Sequence, residues 1–213
     1  MEPLELFLSF LNKFIPLQTD EFYSKIVPFI EVRTIKKKEV VTRIGEAENY
    51  INFIGTGLLR KYFVKDGGEI ITQISREGQI IHSQESFYSR SPSEYCIDAI
   101  ETSTLLSISY DKLETIFSSG AAMERLGRLI VTYMMVLNER WQMSLLKLSP
   151  RERFLDFVQK NSELMQRVPQ KYLASLLNIQ PETFSRFKHL LKTPPAHPTR
   201  GVASQDFSQG NAF

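Results

Sequence analysis

The chain has 213 residues, 42% hydrophobic and 23% charged, the balance of a globular protein with room for a medium domain plus a small one. Its single cysteine, Cys96, excludes a disulfide framework and any multi-cysteine zinc or iron–sulfur site within the chain, which fits a reducing cytoplasm. The net charge of +2 is unevenly spread: residues 147–192 hold nine Lys/Arg against four Asp/Glu, a net +5, residues 193–213 are neutral, and the first 146 residues hold −3. A chain whose C-terminal part meets an anionic partner has this distribution, and so does one with a merely solvated basic surface.

The N-terminus lacks a basic leader, and its apolar stretch is broken by Glu2, Glu5, Asn12 and Lys13, so no signal peptide is expected. No apolar run approaches the roughly 20 residues that span a bilayer, and no membrane partner is expected. Residues 3–30 predict one or two amphipathic helices, with Leu4, Phe7, Leu8, Leu11 and Phe14 at spacings of three and four. Thr19 before Asp20 and Glu21 marks a fresh helix start.

From about residue 31 to 110 the period changes. Eight short β-rich runs are expected at 32–35, 39–42, 50–54, 58–64, 69–75, 79–81, 96–100 and 105–109, punctuated by glycines. Asp66-Gly67-Gly68 between two of them is a hairpin signal. Short strands at this spacing point to an antiparallel sandwich or barrel.

Residues 111–148 are helical again, with no proline after Gly120. Leu126, Ile130, Tyr133, Leu137, Trp141, Leu145 and Leu148 form one apolar stripe, and Leu129, Val136 and Met143 a second. Two apolar faces suit a helix that covers its own barrel on one side and a twin copy on the other, giving a two-fold homodimer. Burial of both faces within one domain is the alternative. Leu126, Ile130, Tyr133, Leu137 and Trp141 are the candidate dimer residues.

Ser149-Pro150, followed by Glu152, is a helix start with a serine N-cap and proline in the first turn, and it marks a domain boundary. A helix is expected over 151–165 with Phe154, Leu155, Phe157, Val158 and Leu164 inward. Two short helices follow near 169–176 and 181–192. The Pro-, Gly- and Ser-rich end, 193–213, predicts disorder.

The run Pro169 to Lys188 carries the functional signal. Small Ala174 permits a close helix crossing, Asn178 suits a left-handed turn position, Ile179 plugs the gap, and Leu173, Leu176, Phe184 and Phe187 supply a shared core. Pro181, Glu182, Ser185, Arg186 and His189 then lie outward. A helix presenting Glu, Ser and Arg near its N-terminus is suited to reading bases in a major groove, although an ordinary helical hairpin would share the pattern. The candidate DNA contacts are Gln170, Lys171, Glu182, Thr183, Ser185, Arg186 and Lys188.

The segment from Ser149-Pro150-Arg151-Glu152-Arg153 to Arg186, most of all Pro181-Glu182-Thr183-Phe184-Ser185-Arg186, resembles the Crp/Fnr superfamily of regulators. So does the order of elements before it. The resemblance covers roughly residues 5–190. It implies an α+β fold: an N-terminal antiparallel β-roll, jelly-roll-like and flanked by helices (1–120), a long dimerisation helix (121–148) and a small helical helix-turn-helix domain (149–192). It implies transcriptional control through double-stranded DNA, with RNA polymerase as a further partner, or a sensor or interaction module of the same fold that no longer binds DNA.

Members that bind cyclic nucleotides carry a Gly-Glu pair and an Arg-Ser or Arg-Thr pair around a short helix. Here the equivalents are His82-Ser83, or Glu85-Ser86 with a shifted alignment, and Ser93-Glu94; Arg90 lies three residues early. No arginine occupies the phosphate position, and Glu94 would repel a phosphate. The effector pocket candidates are therefore His82, Ser83, Glu85, Ser86, Arg90, Ser93 and Glu94. Cyclic AMP in the family's usual mode is not expected, and an uncharged or cationic ligand is favoured near Glu85 and Glu94. His82 is expected on the surface or hydrogen-bonded, and Cys96 as a buried structural thiol. No cofactor or metal is expected. An enzyme is not expected either: no GxGxxG, P-loop, HExxH or GxSxG motif occurs, and His82, His189 and His197 are scattered.

Overall fold

A computed structural model describes residues 2–190; the tail 193–213 lies outside the described residues. The fold is mixed α+β. Helices α1 (Pro3–Leu11) and α2 (Thr19–Lys25) precede strands β1 (Glu31–Ile35), β2 (Val40–Thr42), β3 (Tyr50–Thr56), β4 (Leu59–Lys65), β5 (Gly68–Ser75) and β6 (Ile80–Ile81). A short helix α3 (Gln84–Ser89) is followed by β7 (Cys96–Ala99) and β8 (Ser103–Ser109). Helices α4 (Tyr110–Ser118), α5 (Ala121–Lys147), α6 (Pro150–Lys160), α7 (Leu164–Arg167), α8 (Gln170–Leu176) and α9 (Pro181–Leu190) complete the order.

All strand pairs are antiparallel. They make two four-stranded sheets, ordered β1-β8-β3-β6 and β2-β7-β4-β5, so the expected jelly-roll-like β-roll forms. The β4–β5 hairpin closes through Asp66 and Gly67, both at positive φ, a turn whose twist matches its strands. Gly57, at φ 97°, enters β4 with its Cα facing Ser103; a Cβ there would meet the Ser103 Oγ at 2.2 Å.

Three apolar clusters follow from the alternation of the strands. Ile35, Ile54, Leu59, Ile81, Ile97, Ala99 and Leu105 fill the roll between its sheets. Phe53, Leu106 and Ile108 point the other way and carry Phe7, Phe10 and Leu11 of α1, Leu113 and Ile116 of α4, and Met123 and Leu126 of α5. On the outside of the second sheet, Leu58, Ile71, Ile74 and Ile100 meet Phe154, Phe157, Leu164, Leu173, Leu176 and Phe184 of the helical C-terminal part.

Several sequence expectations need correction. The helix expected over 151–165 ends at Lys160, because Asn161 leaves helical geometry, and α7 restarts it. Leu155, expected inward, is 41% exposed, since it lies off the face that carries Phe154 and Phe157. On α5, Leu126 is buried in its own chain, Ile130 packs against that same core, and Tyr133 meets the rings of Phe10 and Phe14. Trp141 packs with the C-terminal core. Of the five candidate dimer residues, Leu137 is the one that keeps a largely solvent-facing side chain without such a neighbour. From Val131 onward the other residues of α5 are exposed or half-buried, with Met135, Met143 and Leu146 uncovered.

Among the described residues no helix is long and apolar enough to cross a membrane, and no cluster of three or more His, Cys, Asp or Glu could hold a metal ion.

Candidate functional site: a β-roll and a helix-turn-helix

The helix-turn-helix is built from α8 and α9. Asn178 adopts φ 51°, as its place in the turn demands, and the Ile179 amide closes onto the Ala174 carbonyl at 2.9 Å. Ala174 and Phe184 are fully buried at the crossing, and Phe184 meets the Phe154 ring edge-on. Arg153 fixes this unit to the end of α5. Its buried guanidinium donates to the carbonyls of Leu177 (3.0 Å), Leu145 (3.1 Å), Leu148 (2.6 Å) and Asn178 (3.3 Å). A buried cation thus satisfies carbonyls at the C-terminal ends of two helices, α5 and α8, at once. Ser149 and Glu152 form a capping box at the start of α6.

With Phe184 turned inward, Pro181, Glu182, Ser185, Arg186 and His189 face out. Gln170 and Lys171, at the start of α8, are exposed too. Thr183 is half-buried, and its Oγ1 accepts from Arg186 at 3.1 Å. Lys188 is half-buried. The structure therefore brings all seven candidate DNA contacts onto one helical unit and leaves Glu182, Ser185 and Arg186 open on the same helix.

A cassette in the roll runs from β6 through α3 to β7. Arg90 ends α3 in a left-handed conformation, with φ 58°. Its guanidinium donates to the Glu48 carbonyl (2.7 Å), the Phe87 carbonyl (3.2 Å) and Asn49 Oδ1 (2.7 Å), and lies over the Tyr110 ring. It is a strut of the cassette. Ser86 accepts the Glu48 amide at 2.8 Å. Ser83 and Ser93 are buried, their hydroxyls 2.9 Å apart. Glu85 and Glu94 are exposed, so neither carboxylate lines the interior.

His82 overturns its expectation. It is 1% exposed, edge-on to Phe87 and Tyr88, and neither ring nitrogen has a hydrogen-bond partner. Burial, aided by nearby Lys61, pushes its pKa down to about 3, so the ring is neutral. Cys96 is buried, and burial pushes its thiol pKa up, as suits a structural cysteine.

Sequence reasoning missed two residues. Glu48 is buried beneath the cassette, where its carboxylate accepts from the Thr42 hydroxyl (2.6 Å), the Tyr50 amide (3.1 Å) and the Ser83 amide (3.3 Å). Lys61 on β4 reaches the same place: its Nζ donates to the His82 carbonyl at 3.4 Å and lies over the Tyr95 ring. The signal was present in the alternation of β4. Lys61 is two residues from fully buried Leu59 and so shares its inward face.

Residues 32–119 match the family model of the cyclic nucleotide-binding domain. No curated protein matches the chain. Among solved structures, the c-di-GMP-responsive global regulator CLP of Xanthomonas campestris is 16% identical, with 81% of this chain and 91% of that chain covered at a TM-score of 0.63. FixK2 of Bradyrhizobium japonicum is 19% identical, covering 76% and 84% at a TM-score of 0.64. A protein described as a transcriptional regulator of the Crp/Fnr family, from Eubacterium rectale, is 16% identical, covering 85% and 88% at 0.62.

The chain shares the fold of these Crp/Fnr regulators, and its roll is similar to the cyclic nucleotide-binding domain.

Within the matched residues the cassette lacks the side chains that the resemblance calls for. Buried Ser83 and Ser93 stand where the resemblance places the glutamate and the arginine. Helix α5 covers the roll with its first half, and much of its second half faces solvent.

Proposed function

We propose that the chain is a sequence-specific DNA-binding transcription regulator of the Crp/Fnr type, acting as a cytoplasmic homodimer and answering to an effector other than cyclic AMP. The observation that carries this reading is the division of α9 into two faces. Phe184 anchors it in the core, while Glu182, Ser185 and Arg186 stand in solvent on a basic domain. An exposed arginine near the N-terminal end of a second helix can bond a guanine in bidentate fashion, and the surrounding lysines neutralise phosphates. The exposed apolar side chains on the second half of α5 support assembly with a second copy.

The test is a mobility-shift series on selected duplexes at rising salt. Regulatory DNA binding should weaken steeply with salt while a preferred sequence keeps its advantage. Absence of any preferred duplex at low salt would favour a sensor or interaction module of the same fold.

A further inference from the structure

A cavity of about 60 Å³ lies on the outer side of the β3–β8 pair, between that sheet and helices α1, α4 and α5. Its sheet wall is Ile51, Phe53, Leu106 and Ile108, the residues that alternation turns away from the interior of the roll. The facing wall is the side of α5 that carries Met123, Leu126 and Ile130. Among the lining residues only Tyr88 has a polar side chain. Such walls offer water too few hydrogen bonds to hold it, whereas an apolar guest would gain dispersion contacts along all of them. Gly127 sets one edge. A Cβ there would overlap the Phe117 ring, so the bare backbone of α5 is what lets Phe117 of α4 seat beside the cavity. Tyr88 and Val131, each 42% exposed, stand at the side open to solvent.

We infer that this cavity binds a small uncharged molecule through a short alkyl end, packed between the β3–β8 sheet and α5, with its hydroxyl or carbonyl oxygen at Tyr88. The inference gives a chemical class to the effector of the proposed regulator and rests on that reading for the guest's role. The walls select against charge. No ionisable side chain other than Tyr88 lines the cavity, so a charged head would lose its hydration without gaining a partner. Burial and the nearby Glu114 carboxylate both raise the Tyr88 pKa, and that carboxylate would repel an anionic head at the open side. The site lies across the sheet from Ile54, Leu59 and Leu105, which fill the interior of the roll. Its guest touches α5 directly, the helix that further along exposes Leu137 and Leu146. Filling the cavity therefore bears on the helix of the proposed dimer.

The experiment uses the full chain without DNA, so that its failure is separate from any failure of DNA binding. Ethanol, 1-butanol and 1-hexanol are titrated in turn, with butyrate as the charged counterpart. The side-chain methyl signals of Ile108, Ile116 and Ile130 are followed by NMR. The expected result is saturable shifts of these methyls, with the dissociation constant falling about fourfold for each added methylene until the cavity is filled. Butyrate should bind at least about tenfold more weakly than 1-butanol. Val131→Trp sets a large ring at the open side of an exposed position, so it should melt as the wild type does and lose the saturable shifts. Gly127→Ala, which drives the Phe117 ring from its seat, should lose them too. The inference is overturned if the wild-type shifts grow without saturating, if butyrate binds as tightly as 1-butanol, or if Val131→Trp binds as the wild type does.

Discussion

Ser175 on α8 accepts the backbone N–H of Ile71 on β5 at 2.9 Å. Strand β5 is an edge of its sheet, so a side chain of the helix-turn-helix satisfies an amide that no strand reaches. The same hydroxyl faces the Glu69 carbonyl at 3.3 Å. Next to it, Arg60 lies between the Tyr62 and Tyr172 rings, 4.3 and 4.1 Å from their centroids, while it pairs with Asp98 and Glu69. A second tie joins Arg167 to Glu77 and Glu101. The helical C-terminal unit is thus docked on the roll through groups on β4 and β5.

Ser175→Ala should expose that relationship. It strips the Ile71 amide of its partner at a half-buried position, at a cost of about 1 kcal/mol. Amide exchange at Ile71 should accelerate by roughly fivefold, while the interior amides of β3 and β8 keep their protection. An unchanged exchange rate at Ile71 would show that the docked arrangement is not the one populated in solution.

The dimer prediction is sharpened by the packing of α5. Ile130 packs against the chain's own core and lines a small apolar cavity beneath Gly127, so a charge there would damage the roll as well as any interface. Leu137 and Leu146, 44% and 80% exposed, are the cleaner sites. Leu137→Glu combined with Leu146→Glu should give monomers in sedimentation at micromolar concentration, with the melting midpoint of the roll retained. A doubly substituted chain that still sediments as a dimer places the interface elsewhere.

All eight strands were legible in the sequence because alternation and turn residues act locally: Asp66-Gly67 dictates its hairpin whatever surrounds it. The capping box at Ser149 and the left-handed Asn178 were legible for the same reason. Helix α3 was not, since six residues, half of them serine or glutamine, carry no helical period. Nor does periodicity say what covers an apolar stripe. Tyr133 lies in the stripe that points to a partner, yet it meets Phe10 and Phe14, residues more than a hundred positions earlier. The chemistry inside the roll was least legible. His82 follows β6 and Lys61 lies on β4, and only the closed roll removes both from water.

Acid should destabilise the folded chain through His82. Its folded pKa of about 3 lies below the ordinary 6.5, so the unfolded chain binds the proton first as pH falls. The stability is fully present above about pH 6.5 and is lost progressively toward pH 3, by up to about 1.4 kcal/mol per pH unit. Denaturant unfolding at a series of pH values checks this, with His82→Phe as the comparison; its curve should be shallower over the same window. Lys61 acts in the other range. Its folded pKa of about 8 lies below 10.5, so its cost develops as pH falls from 10.5 to 8 and is complete at neutrality. Lys61→Met should therefore stabilise the ligand-free chain at pH 7, by up to about 3 kcal/mol. Equal stability of Lys61→Met and wild type at neutral pH would mean that the ammonium finds water or an anion in solution.

Arg186 and Glu182 lie four residues apart on the exposed face of α9, one turn from each other. In a major groove, the arginine would bond the O6 and N7 of a guanine and the glutamate would accept from a cytosine amino group. Arg186 donates to Thr183 Oγ1 in the absence of DNA, a contact it would exchange for a base edge at little cost because both groups face solvent or nearly so. Two such helices in a dimer meet successive groove faces about 34 Å apart, which requires a near-palindromic site. Arg186→Ala should cost on the order of 1–3 kcal/mol per half-site and relax the preference at one base pair. Lys188→Ala should instead weaken binding to all sequences about equally and lower the salt slope by about one. Binding-site selection on the wild type and both variants measures the two effects side by side. An Arg186→Ala protein that selects the same motif with the same affinity would show that α9 does not read the bases.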